Sequence, residues 1–376
     1  MRTPLAWFNS VQQPRRTAAA VGGISFALLL IFMQAGFLGA AKTNVAVVYL
    51  ALDCDLVIHS RAYLTLYRSD PFDRMRLKQA AAVPGVERVT RFLTDSFGWR
   101  NARTGAAASG FMLGVPPSEP VFRDPSINAQ LATLRPTLTA LVDRRSRPGL
   151  GPWEVGGKAI LNGQPTQITG SYQMGMGLLA DASVIVSDET YERLQDPRAS
   201  RYANLGLVKL APGADPGVVA DLLRRRLPDD VVVETRAGLI AREQHYFISV
   251  KPVGIMFEVG MVVAFAAGAA ILYQILASEM NNRLGEFATL KALGYSAATI
   301  YGVGFQQGLI YALLAYGPAF LLAALIYRVG QALSGFPLAM DAGRAVFVLV
   351  LALIMCAFAG VLSLWKIRKA DPASLF

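Results

Sequence analysis

Only two cysteines and two histidines occur in this chain of 376 residues. Cys54 lies in a polar stretch and Cys356 in an apolar run, on different sides of the topology drawn below, so no disulfide framework is expected. His59 and His245 stand apart without ligand-type spacing, and no metal site is expected. Charge is scarce too. Only 16% of residues are charged, against about 25% in a soluble globular domain.

Catalytic signatures are equally thin. A phosphate-cradling G-x-x-x-x-G-K-[ST] loop has its nearest approach in "GPWEVGGKA", where Pro152 replaces the first glycine and Ala159 the hydroxyl residue that would bind Mg²⁺. "SLWK" (Ser363 to Lys366) matches S-x-x-K, a pattern common by chance, with no S-D-N or K-T-G to accompany it. The chain has no G-x-S-x-G elbow, H-E-x-x-H pair or G-x-G-x-x-G fingerprint. Acid pairs such as Asp53/Asp55 and Asp188/Glu189 read as solvated surface. No catalytic residue and no cofactor bound by this chain is expected. The net charge of +10 is spread over the whole length. Its densest cluster, "LRRRL" (Leu223 to Leu227), reads as the solvated face of a helix, which argues against a nucleic-acid partner.

Long apolar runs are what the chain does have, with 53% hydrophobic residues. Four segments are long enough to cross a bilayer, for which about 20 apolar residues suffice. Residues 18–41, 252–278, 296–327 and 345–365 are read as spans, the third with an internal Gly317-Pro318 pair. Residues 42–251 form a large polar insertion between the first two spans. Arg2, Arg15 and Arg16 precede the first span, and Lys366, Arg368 and Lys369 follow the fourth, so both termini are expected in the cytoplasm. Arg328 and Arg344, in the short outer loop 328–344, are outweighed by those clusters. The first apolar run is longer than a signal h-region and is read as an anchor. Residues 1–17, with Thr3-Pro4 as a helix start and Trp7 at headgroup level, read as an interfacial helix. Residues 279–295 lie inside, as does the tail 366–376.

The fold class that follows is a helical membrane protein of four transmembrane helices plus a large mixed α+β periplasmic domain between the first and second. Within that domain, Phe72 to Ala82 reads as a helix ended by Pro84-Gly85, and "VERVT" (Val86 to Thr90) as a strand. Asn162-Gly163 between two alternating runs marks a two-residue hairpin. "ASVIVSDETYERL" reads as a strand leading into a helix capped by Ser187 or Asp188. Leu205 to Thr235 reads as strand, turn, helix and strand, and Arg236 to Val250 as a helix leading to the second span. Proline and glycine crowd Arg144 to Gly157, which reads as a long loop.

Few polar groups enter the spans. Glu258 is the ionisable group nearest a membrane interior, either an intramembrane site or a side chain reaching the interface. Gln306 and Gln307, with Gln274, are read as hydrogen-bonding between spans. Gly260, Gly268, Gly302, Gly304 and Gly308 are expected to let helix backbones approach closely.

"EFATLKALGYS" (Glu286 to Ser296) is a charged, leucine-spaced element between the second and third spans. Leu284, Phe287, Leu290 and Leu293 recur at threefold spacing, Glu279/Arg283 and Arg283/Glu286 pair favourably, and Gly294 suits a left-handed helix stop. Physics alone allows either an amphipathic linker on the membrane or a docking element. The stretch resembles the E-x-x-x-L-[KR]-A-x-G signature of MacB/FtsX-type ABC transporter permeases. "PLAWFN", "IFMQAGF", "LDCDLVIHS", "VKLAPGAD", "ILYQI" and "RKADPASLF" resemble the DevC-like branch.

The resemblance implies a non-catalytic permease of the bacterial inner membrane. It implies a second copy of the chain and a separate ABC ATPase that carries the ATP and Mg. A periplasmic membrane-fusion adaptor and a TolC-like outer-membrane channel would complete the efflux path. It further implies that Glu286, Phe287, Leu290, Lys291, Ala292, Leu293 and Gly294 contact the ATPase and transmit its motion. The alternative within the same resemblance is an FtsX-like regulator of an extracellular cell-wall hydrolase.

Overall fold

Strand alternation explains the polar insertion. The computed structural model describes residues 14–147, 149–151, 153–176, 180–282, 297–334 and 338–368, in two compact units. One comprises 40–251 with 330–337; the other comprises the remaining helical segments.

The first unit takes in the end of helix α1 (Pro14–Ala51) and then β1 (Leu56–Ser60), β2 (Phe72–Asp73), α2 (Met75–Ala81), β3 (Val86–Asn101) and β4 (Ala107–Val115). Next come α3 (Pro125–Leu131), β5 (Thr139–Asp143), β6 (Lys158–Leu161), β7 (Gln164–Tyr172), β8 (Ala182–Ser187) and α4 (Asp188–Leu194). The unit closes with β9 (Tyr202–Ala203), β10 (Leu205–Leu210), α5 (Pro216–Arg226), β11 (Val231–Thr235) and α6 (Arg236–His245).

Strands β11, β1, β10 and the first half of β3 lie side by side, all antiparallel. With α2 after β1 and α5 after β10, this is a split β-α-β arrangement. Side chains one residue apart point to opposite faces. Leu56 and Ile58 accordingly pack with Leu77, Ala80, Val219 and Leu223 of the two helices. Val57 joins Leu205, Leu207 and Leu239 on the other face.

A barrel is inserted between β3 and β10. The long β3 leaves β10 after Phe92 and pairs from Leu93 onward with β4. β4 pairs with β8, β8 with β5, β5 with β7, β7 with β6, and β6 returns to β3 at Trp99–Asn101. Closure leaves these strands no open edge. Met112, Ala140, Val142, Val184 and Val186 fill one cluster together with Trp99, while the intervening Phe111, Leu113, Leu141 and Ile185 face another.

The local sequence signals are met. Asn162 and Gly163 both have positive φ (47° and 82°), the geometry of a two-residue primed turn between β6 and β7. The Ser187 hydroxyl caps α4 by accepting from the Thr190 amide, and Asp215 caps α5. The long loop 144–157 is tied down by Trp99 Nε1, which donates to the Leu150 carbonyl at 2.9 Å. The helix expected from Phe72 is shorter. Phe72–Asp73 pairs with β9, and the Asp73 carboxylate accepts from the Met75 amide at 2.8 Å, so the helix begins at Met75.

The second unit consists of the rest of α1 with α7 (Pro252–Asn282), α8 (Ala297–Ser334) and α9 (Ala342–Arg368). Four stretches have the length and composition to cross a membrane: Thr17–Ala51, Pro252–Asn282, Phe305–Ala332 and Ala342–Ser363. Their outward faces are as apolar as their contacts, with Val259, Val262, Leu321, Leu325, Val346 and Phe358 exposed. Helices apolar all round belong in a lipid solvent. The chain is a multi-pass membrane protein.

Glycines bring these helices together. A Cβ on Gly268 would lie 2.5 Å from Met355 Sδ and 2.8 Å from Ala27 Cβ, so three helices meet at this position. Gly260 approaches Gln34, and Gly308 approaches Cys356 and Leu276. Gly302 meets nothing within 4 Å. Ser25 Oγ donates to the Ala315 carbonyl and Tyr316 Oη to the Ala345 carbonyl, each at 2.9 Å, while Tyr327 Oη donates to the Phe32 carbonyl. α8 therefore makes polar contacts with both α1 and α9.

Candidate functional site

Where α7 approaches its end at Asn282, one turn back, Glu279 meets α8. Tyr311 Oη donates to Glu279 Oε1 at 2.7 Å, and Gln307 Nε2 donates to Tyr311 Oη at 3.0 Å. Thr17 of α1 also hydrogen-bonds the Tyr311 hydroxyl. Gln307 and Tyr311 lie one helical turn apart, so both present the same face of α8, and both are buried. Beside this node is a groove of about 350 Å³ lined by Ala19, Ala20, Gln274, Ser278 and Glu279. No nucleophile-and-base pair is assembled here. One carboxylate and one phenol thus link three helices, α1, α7 and α8.

The first unit has a second polar node where the last turns of α1 lie against α6. Gln244 Nε2 donates to the Lys42 carbonyl at 2.9 Å, and Arg236 donates to the Leu52 carbonyl at 3.1 Å. Between them, Glu243 is fully buried. Its Oε1 accepts from Tyr49 Oη, from Tyr63 Oη at 2.7 Å and from the Leu66 amide at 3.0 Å. Burial pushes the Glu243 carboxyl up to about 7, against the opposing pull of those donors and of Arg242. α6 runs on through a π-helical turn, Tyr246–Val250, that stops at the extended Lys251, before α7 begins at Pro252.

Among the residues singled out in the sequence, Gln307 is buried in the first node. Glu258 and Gln306 are exposed and take no part in it. Glu286, Phe287, Leu290, Lys291, Ala292, Leu293 and Gly294 lie outside the described residues. Cys54 and Cys356 are both free and buried, and no metal-binding group of three or more ligands occurs among the described residues. Tyr311 and Glu243 were missed by sequence reasoning. Glu243 had a signal, because it follows Leu239 by four residues and shares the buried face of α6. Tyr311 had none beyond its place in an apolar run.

Residues 258–372 match the family described as FtsX-like permease C-terminal. No curated protein matches the chain. Among the solved structures that align with about half of it are the following three. The periplasmic region of MacB from Actinobacillus actinomycetemcomitans aligns at TM-score 0.35 and 9% identity, over 51% of this chain and 92% of that one. The extracellular domain of the ABC-type transporter YknZ from Gram-positive bacteria aligns at TM-score 0.32 and 12% identity, over 48% and 98%. A permease-protein domain from Porphyromonas gingivalis aligns at TM-score 0.29 and 14% identity, over 50% and 90%.

Proposed function

We propose that this chain is the permease subunit of an ABC-type exporter, driven by a separate ATPase. The observation that carries this reading is the FtsX-like permease match over 258–372, which takes in α8, α9, most of α7 and the segment between α7 and α8. The ATPase docks on Glu286 to Gly294 and binds ATP and Mg itself, while this chain performs no catalysis. Closure of the ATPase displaces the end of α7. The Glu279–Tyr311–Gln307 node passes that displacement to α8 and α1. α1 and α7 are the two helices through which the chain enters and leaves the first unit, so motion reaches it along both.

In this reading the protein sits in the inner membrane with both termini in the cytoplasm and works as a homodimer. The first unit faces the periplasm, where it meets a membrane-fusion adaptor and, through it, a TolC-like channel for efflux. The DevC-like branch is the preferred subtype, on the sequence stretches quoted above.

Leu290→Asp tests the docking step. It puts a charge in the contact, and removal of a good interface anchor costs about 2 kcal/mol or more. The variant should insert normally yet no longer co-purify with its ATPase or stimulate ATP hydrolysis. Full partner binding by an inserted variant would overturn the docking assignment. Retained ATPase binding with activation of a cell-wall hydrolase, and no export, would favour the regulator instead.

A further inference from the structure

The first unit contains two buried carboxylates that are met in opposite ways. Asp143, at 1% exposure, spreads its donors over both oxygens. Oδ1 accepts from the Arg145 and Met174 amides, at 3.0 and 3.1 Å, and Oδ2 from the Gly175 amide at 2.7 Å and Ser183 Oγ at 3.2 Å. Both of its oxygens are thereby satisfied away from water. Glu243, at 0% exposure, has all three donors on Oε1, and Oε2 has no partner.

The hydroxyls around Glu243 raise a counting problem. Tyr49 Oη, Tyr63 Oη and Glu243 Oε1 form a triangle in which every pair is within hydrogen-bond distance. Each edge requires a proton, and two phenols supply only two. With Glu243 ionised, one edge is a bare contact between lone pairs inside the core. With Glu243 protonated on Oε1, the third proton completes the ring: within it each oxygen donates once and accepts once, so Oε1 then accepts from one phenol only, besides the Leu66 amide.

Arg242 favours the ionised carboxylate less strongly than burial disfavours it. Arg242, on the same helix, is committed elsewhere. It lies 3.3 Å from Glu234 of β11 and 3.1 Å from His59 Nε2 of β1, with its guanidinium 5.6 Å from the Tyr63 ring centroid. His59 Nδ1 donates to the Ser60 carbonyl at 2.8 Å, and its Nε2 also lies 3.6 Å from Glu234 Oε2. In the segment after β1, burial pushes Tyr63 and Tyr67 up, so both keep their phenolic protons. The Tyr67 hydroxyl is itself buried without a partner.

We propose that Glu243 is a proton-binding site, whose carboxylic-acid proton closes the Tyr49–Tyr63–Glu243 ring and whose release on alkalinisation slackens the hold of α6 on the last turns of α1. An acid whose folded value lies above its unfolded one binds more protons when folded. Its contribution to stability is therefore full below about pH 4.5 and is lost as pH rises to about 7. On the exporter reading, this tunes the path by which motion enters the first unit to the proton concentration outside the membrane. That consequence rests on the proposed function; the proton binding does not.

The test is infrared difference spectroscopy of the full-length protein in detergent, between about pH 5 and about pH 8, alongside thermal unfolding over the same range. The wild type should show a buried protonated-carboxyl carbonyl band that disappears as pH rises through neutrality, with a parallel fall in melting temperature. Glu243→Gln should lack the band and flatten that part of the melting profile. A wild-type spectrum without the band, or a Glu243→Gln protein that keeps it, overturns the proposal. Should Glu243→Gln fail to fold, Tyr63→Phe serves, since it removes one corner of the ring and keeps the core neutral. The band's titration midpoint must then move, and an unchanged midpoint overturns the proposal. None of these readouts requires transport, so failure of the exporter reading is scored separately through Leu290→Asp.

Discussion

Tyr311 donates its hydroxyl to Glu279 at 2.7 Å, so the end of α7 is fastened to the middle of α8 by a hydrogen bond to a carboxylate. Tyr311 is completely buried, and Gln307 backs its hydroxyl at 3.0 Å. If force from an ATPase enters beyond Asn282, this bond lies on its route.

Tyr311→Phe removes the hydroxyl and leaves the ring in place. The loss should be about 1 kcal/mol of stability in detergent, the usual size for a polar contact between membrane helices. Stimulation of the partner's ATP hydrolysis should fall more than ATPase binding does. Co-purification and turnover measured on the same preparation check this, and equal losses in both would mean that the node only stabilises the bundle.

Gly268→Val places a side chain where a Cβ already comes within 2.5 Å of Met355 Sδ and 2.8 Å of Ala27 Cβ. Overpacking of this kind costs about 1–3 kcal/mol. Met355→Ala should restore part of the loss in the double variant, because the two positions are in contact and their effects should not add. Thermal unfolding of the two single variants and the double variant measures the coupling.

A fragment of residues 40–251 should fold alone, with cooperative unfolding and a mixed α/β circular dichroism spectrum. A fragment starting at Asp53 should not. It lacks Val48, Tyr49 and Leu52, which sit in the main core cluster with Phe92, Leu205 and Leu239. Each such side chain contributes about 1.5–3 kcal/mol on burial, and Glu243 would lose a donor as well.

Cys54 should resist alkylation in the native protein. The thiol is 1% exposed, and burial pushes its pKa up to about 12, so little thiolate forms at neutral pH. A maleimide reagent should label neither Cys54 nor Cys356 until denaturant is added, and should then label both. Intact-mass measurement gives the count, and raising the pH from 7 to 9 should not by itself release Cys54.

Several local features were legible in the sequence because they depend on neighbours along the chain. The four apolar runs are such a feature, since crossing a bilayer needs only length and composition. The hairpin at Asn162-Gly163 is another, because positive φ at both residues selects those side chains. The cap at Ser187 follows from a hydroxyl group next to an unpaired amide.

The closure of the barrel and the two polar nodes were decided by tertiary structure alone. Nothing near Trp99 announces that it faces Leu161 across the seam of the barrel. Tyr49 and Glu243 are 194 residues apart, and no periodicity relates them. In the sequence Glu243 is simply an acid within a helical stretch; in the fold, α1 and the segment after β1 cover it. Secondary-structure patterns report which face of an element is apolar. Which polar groups are enclosed, and how many protons they share, depends on the surfaces that distant segments bring against that face.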